Sequence, residues 1–417
     1  MIDFDPMATV SPFRALRPRP ADAARVAAVP YDVVSTEEAR ALAGDNLLSF
    51  LRVSRPELEL PPGTDPHSDE VYALAARNFD RLKRSVLVLE DEPMVYVYRL
   101  RAGGHEQTGL AACFSLEEYD CDLIKKHERT RRDKEDDRTR HMLALSAQTG
   151  PVFLVYRGAA AIHTAIARAT AAAPLFDFTA TDGVVHTVWQ AGGGVRDELV
   201  AAFTPVPALY IADGHHRAAS AARARDAVRE RMLARSAPAG AQPESTTFLG
   251  VAFPHTEVQI LAYNRIVKDL GPLSAARLLE AVHSRFQTSA GAAMPSRKGE
   301  IAMYLDHQWY ALRSRERAGD SDLIESLDVS VLQRDLLDPV LGITDVRTDT
   351  RIDFVGGARG VAELERLVDS GAAAVAFSLY PVSVDDLMAV SDRGSIMPPK
   401  STWFEPKLRD GLLMHVI

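Results

Sequence analysis

A chain of 417 residues is long enough for two or three domains. Hydrophobic residues at 47% and charged residues at 25% are proportions of a globular fold, and a net charge of −9 argues against a general nucleic-acid coat, whose affinity comes from neutralising phosphates. No apolar run has the length of a membrane span, Met1-Ile2-Asp3-Phe4-Asp5 is not the start of a signal peptide, and Cys113 and Cys121 lack metal or redox spacing, so a cytoplasmic chain with reduced thiols is expected.

Residues 27–34 read as an apolar strand broken at Pro30, with Tyr31 and Asp32 beside it, and Ser35-Thr36-Glu37-Glu38 reads as a capped helix start. Residues 50–53 read as a strand and 69–84 as a helix. Residues 86–89 and 94–101 form an expected hairpin, and Gly103-Gly104 turns the chain into a further strand at 107–115. Then comes a run from Ile124 to Arg138 in which only Ile124 is apolar. A solvated face is the plain meaning of such a run. Its place before a helix at 141–148 and an apolar strand at 151–156 points instead to a ligand loop headed by His127-Glu128.

A helix at 159–173 and a strand at 181–189 precede Gly192-Gly193-Gly194, which has no following Lys-Ser/Thr and is neither a P-loop nor a dinucleotide fingerprint. A short helix at 195–203 leads to the apolar run 209–212, which reads as a buried strand ending at the corner Asp213-Gly214. Residues 215–233, free of Gly and Pro, form the expected helix whose first turn carries His215, His216 and Arg217. Unpaired amides at a helix start attract anions, so this is a phosphate corner or, more plainly, an Asp cap with two solvated histidines. Residues 236–245 have linker composition. Strands at 248–253 and 258–261 precede Tyr263-Asn264-Arg265, where Arg265 is a second anion ligand. A helix at 273–286, strands within 300–313, a helix at 326–337 and an αβ unit at 361–380 with a helix at 384–390 complete the pattern. In the tail, Lys400, Ser401 and Thr402 sit between prolines beside Trp403 and Phe404, as phosphate contacts or as a packed loop.

Phosphoryl transfer needs cationic and amide donors on phosphates, usually Mg²⁺, and a carboxylate for the attacking hydroxyl. The rival chemistry is a transition-metal centre from His127, Glu128, Asp213, His215 and His216. His215 and His216 diverge by about 100° around a helix, and the HExxH pattern is absent, so no metal-ligating residue is assigned and Mg²⁺ is preferred to zinc.

Five motifs carry a resemblance: Pro30-Tyr31-Asp32-Val33-Val34, His127-Glu128-Arg129-Thr130 with Lys134-Glu135-Asp136, Asp213-Gly214-His215-His216-Arg217, Tyr263-Asn264-Arg265, and the tail from Met397 to Lys407. Together they resemble, essentially end to end, the bacterial family known as domain of unknown function 1015. Arg129 stands where Lys is common, Arg131-Arg132-Asp133 replaces a Gly/Pro-rich bend, and Ala218 replaces a frequent Tyr. A His-Glu pair followed by Asp-Gly-His-His-Arg is also similar to the ParB/sulfiredoxin-like nucleotide-binding fold, in particular the ParB-like free serine kinases. This resemblance implies a mixed α/β (α+β) fold. A ParB/sulfiredoxin-like core would cover 111–270, with an insertion at about 159–194. It would lie between an N-terminal α/β region, 1–110, and a C-terminal one, 271–417.

The same resemblance implies an ADP- or ATP-dependent, Mg²⁺-assisted kinase acting on the hydroxyl of a small metabolite such as L-serine. Glu128 would be the base with His127 beside it, Asp213 would assist catalysis or Mg²⁺, and Gly214, His215, His216 and Arg217 would hold phosphates. Lys134, Arg265, Lys400, Ser401 and Thr402 would add cofactor contacts. The alternatives are a ParB-type CTP or ATP switch or DNA-associated regulator, and a metal-dependent hydrolase. The expected partners are the nucleotide and a small hydroxyl substrate, not nucleic acid or a membrane, with a homodimer as the compatible assembly.

Overall fold

The computed structural model describes residues 8–234, 244–315 and 322–417; the acidic start and all but the last two residues of the expected linker lie outside them. The chain divides into two compact units, Met1–Val258 with Pro406–Ile417, and Gln259–Glu405. The boundary expected at 110/111 falls inside the strand His105–Ser115. Thr247–Pro254 pairs with that strand, and both belong to the first unit, which takes up Pro406–Ile417 from the far end of the sequence as well.

In the first unit, long apolar runs rich in β-branched and aromatic residues become the strands of one mixed sheet. Its order is Ile124–Lys125, Leu209–Asp213, Val152–Tyr156, Thr247–Pro254, His105–Ser115, Val95–Ala102, Val185–Ala191 and Phe176–Thr179, and Val10–Ser11 also pairs with His105–Ser115. Leu110, Phe114, Leu154, Ile211 and Phe248 from the strands form one core with Ile162, Leu199, Phe203 and Ala221 from the helices. Each fully buried side chain of that size contributes about 1.5–3 kcal/mol, so this core dominates the unit's stability. A smaller sheet of Leu87–Leu89, Ala15–Pro18, Met414–Val416 and Ala147–Gln148 adjoins a second core around Phe50, Phe79 and Leu82.

The second unit carries a wholly antiparallel six-stranded sheet: Phe286–Ala290, Gln308–Ser314, Ile301–Leu305, Val375–Leu379, Tyr263–Val267 and Ile352–Gly356. Ile260–Leu261 pairs separately with Trp403–Phe404. The fold class is mixed α/β, as expected.

Four local expectations fail. Residues 27–34 form no strand: Tyr31–Val33 is a 3₁₀ turn following Pro30, which has no amide hydrogen to give a ladder. Residues 50–53 lie at the helix Leu51–Ser54, because a short apolar run does not distinguish a strand from a buried helical turn. Leu87–Leu89 pairs with Ala15–Pro18 rather than with Val95–Ala102, whose hairpin partner is His105–Ser115 across Gly103-Gly104. Half of the charged run is helical, since the helix Arg132–Leu145 starts nine residues before position 141. Its Arg, Lys and Glu are good helix formers. Arg223 of the helix His215–Ala234 pairs with Glu135 and Asp136 across the two helices.

Candidate functional site

The site is built by a parallel pairing that is only two residues long. Leu209 lies opposite Ile124 and Tyr210 opposite Lys125, in parallel. Parallel strands end on the same side, so the loop after Lys125 and the helix start after Asp213 emerge together. Gly214 makes the corner at φ +93°, a region that L side chains rarely adopt.

That corner brings His215 against the loop. The backbone N–H of His127 points at His215 Nε2 from 3.5 Å, and the two rings meet edge to face, 4.4 Å between centres at 87°. His215 Nδ1 lies 4.0 Å from Glu128 Oε2. His216 points elsewhere, as adjacent helical positions must: its Nε2 accepts the backbone N–H of Arg131 at 3.0 Å and ties down the far end of the same loop. Thr130 Oγ1 donates to Glu135 and closes the loop onto the next helix.

His127 and His215 are both buried. Burial holds the His127 ring down to about 4 and the His215 ring well below its ordinary range, so both are neutral at pH 7. Neither ring nitrogen of His127 has a hydrogen-bond partner; the Ile211 backbone is near enough to favour the charged ring but forms no bond of acceptable geometry. Asp213 is opposed by burial, yet Lys407 and then Arg217 hold its carboxyl below the usual range. Lys407 Nζ lies 3.8 Å and Arg217 Nη2 3.3 Å from Asp213 Oδ2.

Arg217 faces inward. Nη1 donates to the Pro151 carbonyl and Nη2 to Asp213, and the guanidinium lines a cavity of about 40 Å³ with Tyr31, Arg138, Gln148, Gly150 and Asp410. That volume is suited to water rather than to a nucleotide. Arg138 sits 4.1 Å over the Tyr31 ring, and burial, against Arg217 and with Asp32, pushes the Asp410 carboxyl up to about 7.

The structure therefore brings His127, Glu128, Asp213, Gly214, His215, His216 and Arg217 to one strand–helix corner. Lys134 is exposed on the first turn of its helix, next to Asp133. Arg265, Lys400, Ser401 and Thr402 belong to the second unit. There Arg265 is buried and donates to the carbonyls of Tyr263, Pro399 and Lys400, so its guanidinium holds the tail loop. Ser401 Oγ donates to Pro398 O at 2.6 Å and Lys400 Nζ lies 5.5 Å over Tyr263. The sequence reading missed Lys407, Arg138 and Asp410. Lys407 stood inside a motif already singled out, and Asp410 lies with Arg409 between Leu408 and the apolar run Leu412–Met414. Among the described residues no helix is long and apolar enough to cross a membrane.

No curated protein matches this chain in sequence. Among solved structures, a conserved hypothetical protein from Pyrococcus furiosus is similar at 13% identity and TM-score 0.36, covering 73% of this chain and 94% of that one. A free serine kinase in complex with AMP is similar at 12% identity and TM-score 0.36, over 70% of this chain and 86% of its own. SbnI from Staphylococcus aureus, with a C-terminal truncation, follows at 10% identity and TM-score 0.37, over 72% and 85%. Residues 10–330 match the family described as protein of unknown function (DUF1015), and with most of its length matched the chain belongs to that family.

Proposed function

We propose that the chain is a nucleotide-dependent phosphotransferase, using ADP or ATP to phosphorylate the hydroxyl of a small metabolite of the L-serine kind. One observation carries this reading: a partly exposed carboxylate, Glu128, stands 4.0 Å from the first residue of a 20-residue helix that starts at a glycine corner. A helix start of this kind offers amides to phosphate oxygens, and a carboxylate beside it can accept the proton of the attacking hydroxyl. Gly214, His215 and His216 would meet the phosphates, with Lys407, Asp213 and the inward-facing Arg217 fixing the charge behind them. Mg²⁺ would ride on the phosphate oxygens, with Asp213 the carboxylate beside them. The ParB/sulfiredoxin-like core belongs to the same proposal. At TM-scores of 0.36–0.37 the structural likenesses add no weight to it.

The test is incubation of the protein with ADP, ATP or CTP and a panel of hydroxyl amino acids, followed by mass spectrometry of the small molecules. A phosphorylated acceptor that depends on ADP or ATP supports the reading. No product with any acceptor, together with tight CTP binding, would replace it with a nucleotide switch.

A further inference from the structure

We propose that His127, Glu128 and His215 form a binding site for one divalent transition-metal ion of the zinc, cobalt or manganese kind. One nitrogen from each ring and one carboxylate oxygen all lie within 4.8 Å of one another. His127 is only 2% exposed, yet both of its ring nitrogens lack a hydrogen-bond partner. A buried polar ring left without partners is costly, and a metal ion satisfies a neutral imidazole where protein donors do not.

The neighbours sharpen the choice of ligands. His216 is engaged by the Arg131 amide, and Asp213 is shared between Arg217 and Lys407 and is not one of the three clustered donors. His215 and His216 point apart, and the second imidazole of the cluster comes from the loop, through His127. The bond from His127 N–H to His215 Nε2 is at the outer limit of hydrogen bonding and resists little. Bonds of about 2.0–2.1 Å place tetrahedral donors roughly 3.3 Å apart, so binding needs side-chain rotations that close the cluster by an ångström or so. Two imidazoles and one carboxylate leave positions open for water or a ligand, a set that suits zinc, cobalt, manganese or iron. Magnesium prefers an oxygen shell. The site is thus distinct from any Mg²⁺ carried by nucleotide phosphates. One carboxylate oxygen suffices for the ion, so the assignment is compatible with the Glu128 role proposed above but does not depend on it.

The full-length protein is stripped with a chelator, dialysed, and titrated with Co²⁺ and Zn²⁺, with bound metal counted by plasma mass spectrometry and the cobalt spectrum recorded. The expected result is one equivalent per chain, visible d–d absorption and a raised Tm. Glu128→Gln, whose side chain is partly exposed, keeps the fold by circular dichroism and weakens Co²⁺ more than about tenfold, a loss that even outer-shell partners of metal sites produce. His215→Gln abolishes the d–d band. Failure to bind either ion, or binding unaffected by both variants, overturns the assignment. A parallel ADP titration of the stripped protein separates the two readings. Nucleotide affinity without metal sinks only the metal site; metal without nucleotide affinity sinks only the phosphotransfer reading.

Discussion

His127 and His215 meet edge to face, 4.4 Å apart, although one lies in a charged loop and the other opens a helix far along the chain. The Ile124–Lys125 and Leu209–Asp213 pairing makes this contact, and everything proposed for the site depends on it. If Glu128 is the proton acceptor at that junction, Glu128→Gln removes the base while keeping the shape. Turnover of the phosphorylated product falls by about 10²–10⁴-fold, the usual worth of a positioned general base. Nucleotide affinity by calorimetry stays within about twofold of wild type. A variant as active as wild type places the chemistry elsewhere.

The corner itself is tested at Gly214. A Cβ there would stand 2.9 Å from Arg217 Nε, at a φ of +93° that an alanine adopts only under strain. Gly214→Ala therefore costs about 1–3 kcal/mol from backbone and overpacking together, read as a lower urea midpoint with an unchanged m-value. An unchanged midpoint would mean that the corner relaxes freely.

Much of this corner was legible in the sequence. The apolar run ending at Asp213-Gly214 and the Gly- and Pro-free segment after it carry short-range signals that survive folding, as does the turn at Gly103-Gly104 outside the corner. What escaped is long-range. A two-residue strand at Ile124–Lys125 has no period to detect, and Lys407 reaches Asp213 only once the chain's end returns to the first unit. The helix Arg132–Leu145 hid for another reason. Its buried side chains include Asp137, Thr139 and His141, so its inner face does not look apolar. Asp137 is satisfied there by Tyr72 and Arg138, contacts with no local signature.

Arg217 is a buried cation whose acceptors, the Pro151 carbonyl and Asp213, lie within the fold. Arg217→Ala leaves the half-buried Asp213 with Lys407 alone and the Pro151 carbonyl without its donor, a loss of about 1–3 kcal/mol. The loss shows first in chemical denaturation, before any assay of nucleotide. A variant of native stability with weakened nucleotide binding would show instead that Arg217 turns outward to the ligand.

Asp410 should titrate near neutrality. Its folded-state pKa, raised by burial to about 7, exceeds the ordinary value of 3.8, so between those values the folded chain binds more protons than the unfolded chain. Its contribution is complete below about pH 4 and is lost as pH rises through 7. Buried neutral histidines such as His141 and His186 act in the opposite sense below about 6.5, so wild type must be compared with the isosteric Asp410→Asn. The variant gains stability relative to wild type as pH rises from 5 to 8, followed by urea midpoints. A constant difference across that range would show that Asp410 is ionised throughout.

In the second unit, Arg265 holds a loop from inside. It is 2% exposed, and Nη2 donates to Lys400 O at 2.9 Å and Pro399 O at 3.3 Å while Nη1 reaches Tyr263 O. Burial pulls its pKa down to about 10, which still leaves it charged at pH 7. Lys400 sits at φ +58°, a conformation that costs energy and persists only while its surroundings enforce it. Arg265→Met keeps the volume but removes every donor from three carbonyls, each worth about 1–3 kcal/mol when buried without a partner. Amide exchange across residues 399–402 then accelerates well beyond that of the strand Val375–Leu379, because the loop opens before the sheet does. Arg265→Lys restores part of the protection, since an ammonium supplies donors but not the planar fork that reaches two neighbouring carbonyls at once. Equal exchange in both variants and wild type would assign the loop's shape to its prolines and to the packing of Trp403 against Gly356.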